Sequence, residues 1–256
     1  MGLALSCRKT QPLAEAGLSC YNMQYPLAKP LPDHTKTKAA MSDTAPSPRT
    51  RVRRLNEKAA YDRDTINAIL DAMPVAHVGH IVDGFPVVTP TLQWRIGDRI
   101  YWHGSSASRM QKRAADAQVC VTITLTDGML LARSGLEHSV NYRCVMVFGR
   151  AEVVEGAATK EAHLKEMMDQ LFLGRWEELR PITAQELKAT RILSLPLTEA
   201  SAKISAGPPA DPPEDRAWPV WAGVLPIHLT MGAPEPAPDL APGIPTPDHV
   251  RNYKIG

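Results

Sequence analysis

A chain of 256 residues with 44% hydrophobic content has apolar material for one large core or two small ones. Its 29 basic and 27 acidic residues leave a formal charge of +2, too balanced for a nucleic-acid binder, and no run of about 18 apolar residues offers a membrane span. The four cysteines, Cys7, Cys20, Cys120 and Cys144, show no metal-ligand spacing, so a reduced cytoplasmic protein is the simplest account.

Residues 1–50 carry scattered Pro, Lys and Thr with no apolar period and read as a disordered or mis-assigned N-terminal extension, with Met41 as the expected natural start and a targeting leader as the rival idea. The basic run at 49–54 reads as a solvated arm. Residues 65–72 place Ile66, Ile69 and Leu70 at helical spacing behind an acidic N-terminus, and Pro74 ends that helix. Residues 75–81 then alternate, Asp83-Gly84 turns the chain into 85–94, and Gly97-Asp98 turns it again into 99–103, which makes an antiparallel meander. Pro86 and Pro90 cannot donate to a ladder, so the second strand is expected to be bulged or partly at an edge. His77 and His80 sit three apart on one strand and so face opposite sides, which argues against a shared metal.

The strand 99–103 runs through Gly104-Ser105-Ser106-Ala107-Ser108-Arg109 into a helix expected over 107–116. Free N–H groups and small hydroxyls converge there at a helix N-terminus, a geometry that favours a phosphate. Arg109 can add a guanidinium fork, and Lys112 and Arg113 raise the local potential. The alternative is an ordinary Ser N-cap on a surface helix with solvated Lys and Arg.

Residues 119–125 alternate, Thr126-Asp127-Gly128 reads as a turn, and 129–132 continues. Many short strands with tight turns favour a closed or nearly closed barrel. Residues 160–173 form an amphipathic helix with Leu164, Met167, Met168 and Leu171 on one face, and Thr183-x-x-Glu186 is a capping box. Residues 191–197 and 220–227 read as closing strands around a Pro-rich insert at 208–213, and the Pro-rich stretch 231–256 reads as an extended tail.

Four ordered blocks carry a resemblance: His77-Val78-Gly79 with Phe85-Pro86 and Pro90-Thr91; 100–105 with Ser108-Arg109; 119–124 with Thr126-Asp127-Gly128; and 138–143 with 147–154. Over about residues 51–229 the chain resembles the pyridoxamine 5′-phosphate oxidase-like FMN-binding split barrels, on the branch of 5-nitroimidazole resistance and flavin-nucleotide-binding proteins. The resemblance implies a mainly β fold with flanking helices (α+β), an antiparallel Greek-key split barrel over 51–230, and a homodimer with flavin in the interface groove. It implies phosphate and ribityl contacts from Thr89, Thr91, His103, Gly104, Ser105, Ser108 and Arg109, and ring-edge contacts from Asn141, Arg143 and Cys144. His103 is the candidate proton carrier, with His138 a weaker second.

Three departures count against vitamin B6 oxidation, which leaves a pyridoxamine/pyridoxine 5′-phosphate oxidase as the second enzyme alternative. Met110 follows Arg109 where the oxidases carry Lys; Cys144 stands where they carry Gln; and their terminal Trp-x-x-x-Arg block has no counterpart near Arg251. The expected activity is an FMN-dependent oxidoreduction of a small molecule, such as a nitroaromatic. With no G-x-G-x-x-G fingerprint, NADH or NADPH would bind only transiently as donor. The alternative class is a non-catalytic module that stores or senses FMN or haem.

Overall fold

Asp62 opens the first α-helix much as its sequence demands: its carboxylate accepts from the Thr65 amide at 2.8 Å and caps α1 (Arg63–Ala72), which buries Ile66, Ile69 and Leu70. The computed structural model describes residues 44–255, so the proposed Met41 start and most of the N-terminal extension lie outside the described residues. Residues 47–50, placed by the sequence in that extension, are docked on the domain: Thr50 is buried in a turn with Ser47, and Arg49 pairs with Glu199 at 2.9 Å.

The strands are β1 (Ala59–Ala60), β2 (Val75–Val82), β3 (Phe85–Ile96), β4 (Arg99–Ser105), β5 (Gln118–Leu131), β6 (Ser139–Arg150), β7 (Glu152–Val153), β8 (Thr190–Pro196), β9 (Ala200–Ser205) and β10 (Gly223–Pro226). The helices after α1 are α2 (Arg109–Ala114), α3 (Ala157–Leu171), α4 (Arg175–Glu178), α5 (Ala184–Ala189) and α6 (Asp248–Arg251). All pairings are antiparallel, in the order β1-β9-β6-β5-β2-β3-β4-β8-β7, with β10 added to the end of β5. The sheet curls without closing: β1 and β7 remain its ends, as in a split barrel.

Both predicted hairpins form. Asp83 and Gly84 take φ 50° and 85°, the left-handed pair a type I′ turn requires, and Gly97 alone turns positive in the second. Residues 85–92 of β3 pair with β2 and 93–96 pair with β4, so Pro86 and Pro90 sit where one edge needs no donor. The turn expected at Thr126-Asp127-Gly128 is instead a bulge inside the long strand β5: Gly128 pairs with Asn141 on one side and Pro226 on the other, and Asp127 is the extra residue.

Alternation sorts the side chains into two clusters. Val78, Val121, Ile123, Val145, Val147, Leu193 and Leu195 fill the barrel interior with Trp102 and α1. On the opposite face, Trp94, Tyr101 and Ile192 pack beneath α3 and α5 through Leu164, Met167 and Leu187, with Met168 and Leu171 at the margin as the helix period predicted. The capping box of α5 is present, with Thr183 Oγ accepting from the Glu186 amide at 3.2 Å. Arg180 and the Thr183 groups hold the Glu186 carboxyl down at about 2.

Candidate functional site

β4 runs on through Gly104 and Ser105, which pair with Arg191 and Thr190 of β8, so the strand-to-helix corner begins two residues later than the alternation suggested. The Ser106 amide donates to the Ala189 carbonyl at 2.7 Å, that of Ala107 to Ser105 Oγ at 3.2 Å, and that of Ser108 to the Ser105 carbonyl at 2.9 Å. The turn itself uses these three donors. Those left over are the amides of Arg109, Met110 and Gln111 in the first turn of α2, which have no backbone acceptor among the described residues.

Arg109 and Lys112 are exposed, and neither meets a carboxylate among the described residues, whereas Arg113 is held by Asp83 at 3.0 Å. Two uncommitted cations beside uncommitted amides form an anion-suited surface. Thr89 and Thr91 pair with Val78 and Ala76, so they lie half-buried on the inner face of β3. α2 packs on that interior through Ala114 and Met110, and the Arg113–Asp83 pair ties it to the β2–β3 turn. The corner residues and the two threonines therefore share one side of the barrel.

Gly104 permits this closeness. A Cβ on it would lie 2.9 Å from Gln111 Nε2. Gln111, missed in the sequence, is fully buried under the corner with neither amide atom partnered among the described residues. Its one sequence signal was position: it shares a helix face with Ala114, three residues on, which is core.

His103 looks the other way. It shares its strand face with Tyr101, and its ring stands 5.8 Å from Trp94 in the layer under α3. Burial pushes its pKa down, which favours the neutral ring, and Nδ1 has no partner among the described residues.

The expected ring-edge residues lie apart. β6 is separated from β3 by β5 and β2, three strand spacings or roughly 14 Å along the sheet. Arg143 forks onto Asp127, with Nε to Oδ2 at 3.0 Å and Nη2 to Oδ1 at 2.8 Å. Asn141 Nδ2 donates to the Gly207 carbonyl at 3.0 Å while its buried Oδ1 has no partner among the described residues. Cys144 is on the outer face, a free thiol whose pKa burial pushes up. A cavity of about 400 Å³ lies elsewhere, between α1, β3, the end of α3 and residues 253–255. Among the described residues no three His, Cys, Asp or Glu side chains gather as a metal site, and no helix is long and apolar enough to cross a membrane.

An antiparallel, incompletely closed barrel with a cationic strand-to-helix corner defines the class: a split β-barrel of the kind that holds a phosphate-bearing cofactor. The chain belongs to the pyridoxamine 5′-phosphate oxidase family, whose pattern residues 62–204 match. It is similar to the flavocytochrome Anf3 from Azotobacter vinelandii, with 47% identity and a TM-score of 0.81 over 83% of this chain and 99% of that one. It is also similar to the FAD and haem binding protein from Mycobacterium smegmatis, with 38% identity and a TM-score of 0.74 over 77% of this chain and 97% of that one. No curated protein matches the chain.

Proposed function

We propose that the protein is a homodimeric flavin- and haem-binding redox protein that passes reducing equivalents from NADH, NADPH or another donor to a small molecule. The observation that carries the reading is the 47% identity across 99% of a flavocytochrome. Geometry supports the flavin half. Arg109, Lys112 and the free amides of α2 suit its phosphate, and the hydroxyls of Thr89 and Thr91 lie on the same side. Bound flavin supplies hydride and electron transfer, while these residues supply grip and orientation. The likeness to the mycobacterial protein favours FAD over the FMN expected from sequence.

The homodimer reading draws on the outer face of the sheet. Val75, Ile81, Val88, Met129, Met146 and Leu225 are each more than a third exposed there. A bare apolar face of this extent wants a partner, and a second copy of the chain, which carries the same face, is the partner proposed. A reducing cytoplasm suits the free thiols Cys120 and Cys144.

The test is the absorbance spectrum of purified protein, with chemical extraction of its chromophores. Flavin bands near about 370 and 450 nm together with a haem Soret band are expected, and anaerobic NADH, NADPH or dithionite should bleach the flavin. Protein that stays colourless after incubation with FAD, FMN and haemin would overturn the reading.

A further inference from the structure

Resting on that flavin and haem reading, we propose that His138 would ligate the haem iron through Nε2, on the apolar outer face at the β5–β6 end.

Among the described residues, two histidines have a ring nitrogen on a backbone carbonyl: His80, with Nδ1 3.3 Å from the Val78 oxygen, and His138, with Nδ1 2.9 Å from the Ser134 oxygen. A carbonyl only accepts, so each Nδ1 carries a proton, and in the neutral ring Nε2 then keeps its lone pair, which is the tautomer that binds a metal. His80 is 4% exposed and sealed by its surroundings, whereas the His138 ring is exposed. Only the second can meet a ligand.

What surrounds His138 suits a flat apolar macrocycle. A hollow of about 250 Å³ is lined by Met129, Leu130, Leu131, His138, Ser139 and Val140. Met129 pairs with Val140 and with Leu225, and His138 lies two residues before Val140, so these side chains share one face. Met129 and Leu225 are 43% and 59% exposed, an apolar cost that nothing among the described residues offsets. The hollow is smaller than the about 300–1,000 Å³ of complete ligand sites, so a second surface has to finish it, and the proposed second copy supplies one.

The imidazole is also held in place from behind. Buried Asp211 accepts from both the backbone amide and the guanidinium of Arg133, each at 2.7 Å. That clamp fixes the residue next to Ser134, whose carbonyl orients His138. The plainer role for the His138–Ser134 bond is closure of the 3-10 turn Gly135–Glu137. Ligation and turn closure make different demands on the side chain, and this separates them.

The full chain, wild type and variant, is titrated with haemin and followed by absorbance and electron paramagnetic resonance, with thermal melts beside each. Wild type should show a Soret shift and the signature of an imidazole ligand. His138→Ala should bind haemin at least tenfold more weakly and lose that signature, and added imidazole should restore it. His138→Gln, which can still donate to the Ser134 carbonyl, should melt like wild type yet fail in the same way, whereas His77→Ala should bind as wild type does. Wild-type affinity and spectrum in folded His138→Gln would overturn the ligand while leaving the flavin and haem reading standing. Wild-type protein that binds flavin and no haemin would overturn both.

Discussion

The outer face of the sheet is finished at one end and bare at the other. Over β3, β4 and β8, helices α3 and α5 bury Trp94 to 2% and Ile192 completely, and Trp94 stacks on Tyr101 at 5.8 Å. Over the outer side of β2, β5, β6 and β10 no helix arrives among the described residues, and Ile81, Val88 and Leu225 stand 58%, 64% and 59% exposed. One chain thus builds one wall of its barrel from its own helices and leaves the other apolar, the condition of a surface completed by assembly or ligand. His103 belongs to the finished end and His138 to the bare one, which is why the first reads as a packed neutral ring and the second as an available one.

The sharpest way to break this contrast is to truncate each end. Trp94→Ala should cost about 3–5 kcal/mol in chemical denaturation, because a large buried ring leaves a cavity. Val88→Glu should leave the isolated fold within about 0.5 kcal/mol while shifting sedimentation toward one chain. A large stability loss at Val88 with unchanged mass would mean the bare face is not an interface.

Next in size is the corner. Arg109→Ala should weaken flavin binding by about 1.5–3 kcal/mol, read by fluorescence titration, with little change in melting. Unchanged affinity would remove the guanidinium as anchor. Arg143→Ala should instead be read in stability, at about 1–3 kcal/mol, since it strands a half-buried Asp127.

Much of this was legible in the chain and some was not, for identifiable reasons. The two hairpins, the faces of α1 and α3 and the α5 capping box follow from local chemistry that no distant contact overrides. β9 was missed because Ala200-Ser201-Ala202 offers no bulky alternation; it is a strand only because β6 supplies the partner. Asp127-Gly128 has turn chemistry, yet flanking strands on both sides convert it to a bulge. The corner amides looked free because Ala189, some eighty residues on, takes one of them. The bare face did leave a trace: Val140, Tyr142, Cys144, Met146 and Phe148 make the outward phase of β6 as apolar as its inward one, the mark of a strand covered on both sides.

Two smaller effects probe the finished end. Thr183→Ala should cost about 1 kcal/mol by removing the cap of α5. Burial lowers the pKa of both His103 and His163, so the unfolded chain binds protons more readily than the folded one. Stability should therefore be full above the ordinary histidine value of about 6.5 and fall as pH drops below it, and His103→Gln should flatten that fall in urea midpoints.

Native mass spectrometry of the intact protein tests the central claim most directly. The account predicts two chains carrying flavin and haem together, with Val88→Glu releasing single chains that hold their chromophores weakly. A single wild-type chain that retains both cofactors at full occupancy would contradict it, because the bare face would then need no partner.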